Sequence, residues 1–153
     1  MPGAPRDSRL HRRLVDALYV EAMVLADEAR AYFDEQGRAE RESLAPLSRV
    51  AFSCESLKVT TRLMHVIAWL LTQRAVFAGE MRAREALDPS RRLGEAPVTD
   101  PAALADLPPQ ARALVTMSGD LHRRVARLDQ AQVSEAIAAS PVQALQERLA
   151  LAF

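Results

Sequence analysis

Between Val50 and Val76 the chain runs without Gly or Pro through VAFSCESLKVTTRLMHVIAWLLTQRAV, and its apolar positions recur with a helical period. On a helix with about 100° between successive residues, Phe52, Leu57, Val59, Thr60, Leu63, Met64, Ile67, Leu70 and Leu71 cover about two-thirds of the circumference. The remaining third carries Glu55, Lys58, Arg62, His65 and Gln73, with Trp69 among them. A helix apolar over so wide an arc needs more than one neighbour. This pattern predicts the middle helix of a bundle, with one narrow polar stripe left to water or to a partner.

The flanking stretches supply the neighbours. Leu14, Leu18, Ala22, Leu25, Ala29, Tyr32 and Phe33 form one stripe, predicting a first helix over about 9–36 with Ser8 as N-cap. Gly37 suits its end, as a residue that tolerates positive φ. Pro46 suits the first turn of the middle helix, which is expected over about 47–86, weakly interrupted at Gly79. Residues 88–109 hold five of the nine prolines and read as a long, irregular, Pro-rich connection, with Leu93, Val98, Leu104 and Leu107 able to pin it to the bundle. Pro109 opens a third helix over about 109–130, in which Leu114, Met117, Leu121, Val125 and Leu128 follow a near-heptad seam. After a spacer, VSEAIAAS, the residues Ser140, Pro141 and Gln143 fit a capping box, and Val142, Leu145, Leu149 and Phe153 fall on one face of a short amphipathic helix. The expected fold is all-α: an antiparallel three-helix bundle over 9–132 with a long central helix, a loose N-terminus at 1–8 and a flexible C-terminal tail at 133–153.

At 153 residues the chain is one domain's length, large enough for a real core. Twenty basic and 20 acidic side chains balance, so the basic excess of a dedicated nucleic-acid binder is absent. Two local clusters, Arg6, Arg9, Arg12, Arg13 and His122, Arg123, Arg124, Arg127, leave a DNA-binding transcriptional regulator as the alternative function. The single Cys54 excludes an intramolecular disulfide, and the opening MPGAPRDSRLHRR lacks the apolar core of a secretory signal, so a cytoplasmic location is expected. The three histidines, His11, His65 and His122, have no second ligand at metal spacing. HExxH, ExxH, CxxC, GxSxG and Gly-rich phosphate loops are all missing, so neither an enzyme nor a cofactor is expected.

The polar stripe of the middle helix is thus the main candidate site. Glu55, Lys58 and Arg62 at i, i+3 and i+7 form at the least a solvated ion-pair ladder. Trp69 in a polar stripe is unusual for a plain solvent face, and Trp and Arg are enriched at binding hot spots. Glu55, Lys58, Arg62, His65, Trp69 and Gln73 are therefore expected to bind a partner, unless the first helix or the Pro-rich connection covers Trp69. The apolar face of the tail, Val142, Leu145, Leu149 and Phe153, is the second candidate surface.

Three stretches carry a family resemblance. AFSCESLKVTTRLMHVIAWLLTQRAV in the middle helix, YVEAMVLADEARAYFD in the first and LPPQARALVTMSGDLHRRVARLD in the third resemble the alphaproteobacterial regulator-of-CtrA-degradation (RcdA) family. The resemblance implies a dimeric three-helix bundle with a flexible tail, acting as an adaptor without catalysis. It implies delivery of the cell-cycle regulator CtrA and other substrates to the ClpXP protease, with the response regulator CpdR and the cyclic-di-GMP effector PopA, at a cell pole. Exposed parts of the third-helix seam would suit the dimer. The terminal LALAF resembles the small apolar C-termini that ClpX recognises, which makes the tail a protease contact or a degradation signal.

Overall fold

The computed structural model describes the backbone of residues 5–153 and the side chains of residues 8–153. The chain is all-α, with no strand among the described residues. Its elements are α1 (Pro5–Ala31), a π-helical turn (Tyr32–Gln36), α2 (Arg38–Glu42), α3 (Pro46–Phe77), α4 (Ala83–Ala86), a 3-10 turn (Pro89–Arg91), α5 (Pro101–Ala105) and α6 (Pro109–Ala152).

α1, α3 and α6 surround a single core built from Val15, Leu18, Ala22, Leu25, Phe52, Val59, Leu63, Val66, Leu70, Leu114, Leu121 and Val125. α1 runs antiparallel to α3, with His11 edge-on to Phe77 at one end and Tyr32 against Phe52 at the other. It also runs antiparallel to α6, where Glu21 pairs with Arg124 and His11 meets Gln132. α3 and α6, however, run parallel: Arg62, Trp69 and Gln73 meet Ser118, Asp129 and Gln132 in the same order. The expected antiparallel arrangement therefore fails for this pair. Two parallel neighbours require a connection that travels back along the bundle, and residues 78–108 make that return. Their length and irregularity have this topological cause.

Several boundaries also differ from the sequence-based ones. Residues 1–4 of the expected loose N-terminus lie outside the described residues, but α1 already begins at Pro5. Gly37 has φ −84°, so its role is space rather than handedness: a Cβ there would lie 2.9 Å from the Tyr32 ring. The middle helix, expected to 86, stops at Phe77, because Gly79 adopts φ 77° and the Glu80 N–H turns back to the Ala75 carbonyl. The third helix does not stop at 130. The spacer VSEAIAAS, with its three alanines, continues the helix. Ser140 consequently caps nothing, and Pro141 sits inside a 44-residue helix. Beyond Ala136 every α6 residue is exposed, so the expected tail is a helical arm that continues α6 past the core.

The buried Tyr32 hydroxyl donates to the Glu40 carboxylate. Burial first, and this neighbouring acid second, push its pKa above the usual tyrosine value. A group whose folded pKa is raised contributes stability that is complete below its unfolded pKa and is lost as pH rises past it. Stability should therefore decline above about pH 10, and Tyr32→Phe should flatten that decline in urea titrations at about pH 9 to 11.

A polar seam closed by the Pro-rich connection

The stripe read as a water- or partner-facing surface lies inside the protein. Glu55, Arg62, Trp69 and Gln73 are buried, and Lys58 and His65 are half-buried. What covers them is the returning connection, which crosses the α3–α6 groove antiparallel to α3. Residues 93–100 have no regular structure, so their carbonyls need partners from elsewhere. The stripe supplies them. Lys58 Nζ donates to the Val98 carbonyl at 2.9 Å, and Arg62 Nη2 to the Pro97 carbonyl at 2.8 Å. His65 Nδ1 lies 2.9 Å from the Glu95 carbonyl, and His122 Nε2, from α6, 2.8 Å from the Gly94 carbonyl. Carbonyl oxygens only accept, so each imidazole donates at the nitrogen named.

The side chains of the seam are linked to one another. Glu55 accepts from Lys58 Nζ at 3.0 Å and from Thr99 Oγ1 at 2.6 Å, and Thr99 Oγ1 in turn accepts from Arg62 Nη2 at 2.6 Å. Arg62 Nη1 reaches Ser118 Oγ at 3.4 Å. Burial pulls the Arg62 pKa below its usual value, and the Glu55 carboxylate opposes that pull. Further along, Asp129 accepts from Trp69 Nε1 at 3.0 Å and from Arg92 Nη2 at 2.8 Å, which ties α3, α6 and the connection together. Gln73 Oε1 accepts from Gln132 at 2.7 Å, whereas the buried Gln73 Nε2 has no partner among the described residues.

Gly94 is where the connection comes closest to α3. A Cβ there would lie 2.6 to 2.8 Å from the His65 ring. Gly94→Ala should therefore lift residues 93–99, breaking the bonds at His65 and His122 and costing about 1–3 kcal/mol. Urea unfolding together with faster amide exchange confined to the connection would verify it.

Thr99, Ser118, His122, Asp129 and Arg92 complete the seam but are not evident from the sequence. One signal was available: Ser118, His122, Asp129 and Gln132 interrupt the apolar side of α6 at helical spacing. The basic cluster on α6 is split between faces, with His122 inside, Arg124 on Glu21 and Arg123 on Asp120. On α1, Arg12 lies over the Phe77 ring. The tail residues Val142, Leu145, Leu149 and Phe153 are all exposed on the projecting end of α6, far from the seam. Val98, expected to pin the connection by its side chain, is exposed and holds on through its carbonyl; Leu107 is buried, with Leu93 and Leu104 packed against the core. Of the third-helix seam, Leu114, Leu121 and Val125 are consumed by the core and Met117 remains exposed.

Among the described residues no group of three or more His, Cys, Asp or Glu side chains could hold a metal ion, and no helix is long and apolar enough to cross a membrane. The fold and the seam together define a class: a small all-α protein whose polar groove is filled by its own chain. A family model described as "Protein of unknown function (DUF1465)" matches residues 6–153. The crystal structure of RcdA from Caulobacter crescentus CB15 is similar at 34% identity and a TM-score of 0.64, covering 78% of this chain and 90% of that one. No curated protein matches. The chain belongs to the DUF1465 family, the family of RcdA.

Proposed function

We propose that this chain is a non-enzymatic adaptor in regulated proteolysis, one that helps deliver CtrA and other substrates to the ClpXP protease. Membership of the RcdA family is the observation that carries this reading. An adaptor needs no chemistry of its own, because holding two partners on one scaffold raises their effective concentration. The projecting end of α6 suits such a scaffold: Val142, Leu145 and Leu149 are spaced by three and four residues on an arm with no intramolecular cover among the described residues. Amphipathic helices offered in this way dock into apolar grooves. In this reading the arm meets the protease or a substrate, and the buried or half-buried residues Glu55, Lys58, Arg62, His65, Trp69 and Gln73 serve partner binding indirectly, by holding the connection in place. The adaptor acts in the cytoplasm, concentrated at a cell pole, and as a homodimer.

The test is a reconstituted degradation assay with purified ClpXP, CtrA, CpdR and PopA, with and without this chain. A clear acceleration is expected, and truncation after Ser140 should abolish it while leaving the core folded. No acceleration by a chain that is helical by circular dichroism would refute the reading. Appending two Asp after Phe153 separates the arm's two roles, since only a degradation signal would slow the chain's own turnover.

A further inference from the structure

The cavity beside Arg62 holds more positive charge than the seam consumes. Its volume is about 400 Å³, and Pro97, Val98, Leu104 and Val115 form its apolar walls, from the connection, α5 and α6. That size falls within the range of small-molecule sites, about 300–1,000 Å³. Arg62, His122 and Arg123 also line it, and among the described residues no Asp or Glu does. Arg62 is 4% exposed and His122 8%, so both are fixed parts of the interior. Each nevertheless keeps a nitrogen to spare. Arg62 Nη2 is used on Pro97 O and Thr99 Oγ1, and Nη1 reaches Ser118 Oγ at 3.4 Å, while Nε has no partner among the described residues. His122 Nε2 is used on the Gly94 carbonyl, and its Nδ1 has no partner among them either. Unlike Gln73 Nε2, neither of these nitrogens is sealed from solvent.

Two residues of α6 keep the cavity open and polar. The hydroxyls of Thr60, Thr61 and Thr72 on α3 bond back to carbonyls one turn earlier, each at 3.0 Å, whereas the Thr116 hydroxyl beside the cavity makes no such bond among the described residues. Glycine is a poor choice inside a helix, yet Gly119 stands there, and the nearest atoms to a Cβ at this position belong to the Arg123 guanidinium, 3.5 to 3.9 Å away. We propose that this cavity binds a small organic oxyanion, a carboxylate or phosphate monoester on an apolar body, with its charged oxygens on Arg62 Nε and Arg123 and its body against Pro97, Val98, Leu104 and Val115. Guanidinium groups match the oxygens of both kinds of head. Burial is the first cause of the lowered Arg62 pKa, Glu55 opposes it, and the Arg123 charge lowers it further. An anion between the two guanidiniums relieves that repulsion, whereas water hydrates them without bringing charge. The acids nearby are engaged elsewhere, Glu55 by Lys58 and Thr99 and Asp120 by Arg123. The Asp120 pair is exposed, and such pairs hold weakly, so Arg123 is free to turn to a ligand. His122 Nδ1 accepts from a protonated head or takes up a proton and donates to an ionised one. The site does not depend on the adaptor reading.

The test is a titration of the full-length protein with phenyl phosphate, with benzoate and with neutral benzyl alcohol, followed by amide-resolved NMR. At millimolar concentration one or both anions should shift the amides of Ala96, Val98, Thr99 and Gly119, and the tighter of the two identifies the head. Benzyl alcohol should bind at least about tenfold more weakly, the equivalent of one charge-assisted hydrogen bond. Arg123→Gln should weaken the anion by a similar factor, about tenfold. Gly119→Leu puts a favoured helix residue into the cavity, and should abolish binding without loss of helical signal. Arg123 is exposed, so Arg123→Gln decides the matter if Gly119→Leu folds poorly. Equal binding of benzyl alcohol would overturn the oxyanion. Shifts unchanged in Arg123→Gln and Gly119→Leu would place the anion elsewhere and overturn the site, and no shift with either anion would overturn the proposal as a whole.

Discussion

Arg62→Ala should destabilise the fold by about 3 kcal/mol, a lowering of roughly 6–12 °C in Tm for a chain of this size. Arg62 is 4% exposed and forks to Pro97 O, Thr99 Oγ1 and Ser118 Oγ. Alanine leaves these acceptors without their donor and leaves the buried Glu55 carboxylate with only Lys58 to balance it. Breaking a buried charged network from one side costs more than its net contribution when intact, because the remaining partners have been removed from water. Arg62→Lys should recover less than half of the loss, since one ammonium on a flexible stem cannot replace a planar fork with fixed donors. Urea denaturation of the three proteins, with the connection followed by amide exchange, supplies the comparison. Equal stability of wild type and Arg62→Ala would mean that the connection is not held by this seam.

Trp69→Ala should be more damaging, with a loss of about 3–5 kcal/mol from the cavity alone. The indole is 2% exposed and is among the largest fully buried side chains. Its N–H also supports Asp129, which would keep Arg92 as its remaining partner. Trp69→Phe retains most of the volume and loses only the donor, so its cost should be nearer about 1–3 kcal/mol. Thermal unfolding monitored by circular dichroism distinguishes the two; similar losses would mean that the hydrogen bond, not the packing, dominates. In a degradation assay, failure of Trp69→Ala would report a damaged bundle. Leu145 or Leu149, exposed on the arm, are the positions at which a polar substitution tests docking without touching the core.

The three long helices were legible in the sequence because each carries a run of apolar residues at helical spacing; the start signals held for two of them, whereas Ser8, read as the N-cap of the first, lies inside α1. α3 begins at Pro46 and α6 at Pro109, as the missing proline N–H predicts. Leu18, Ala22 and Leu25 on α1, and Leu114, Leu121 and Val125 on α6, lie in the core for the same reason. The spacing of Ser140, Pro141 and Gln143 misled, because a local cap competes with continuation of the helix and the Ala-rich spacer favours continuation. The family was legible too, because long stretches of particular residues, unlike periodicity, distinguish one helical protein from another.

The sequence by itself determined that α3 has an apolar arc and a polar stripe; only the tertiary structure decided that both are buried, part of the arc in the core and the stripe beneath the connection. Periodicity records which residues share a face of one helix and is silent about what lies opposite. In a single chain the usual rule places polar groups outside. Here a parallel α3–α6 pair forces a long return through the groove, and an irregular segment with unpaired carbonyls needs buried donors. Lys58, Arg62, His65 and His122 satisfy that need, so the polar stripe is stable inside. The apolar arc, wider than one core can cover, leaves Val50, Leu57, Met64 and Leu71 at the surface.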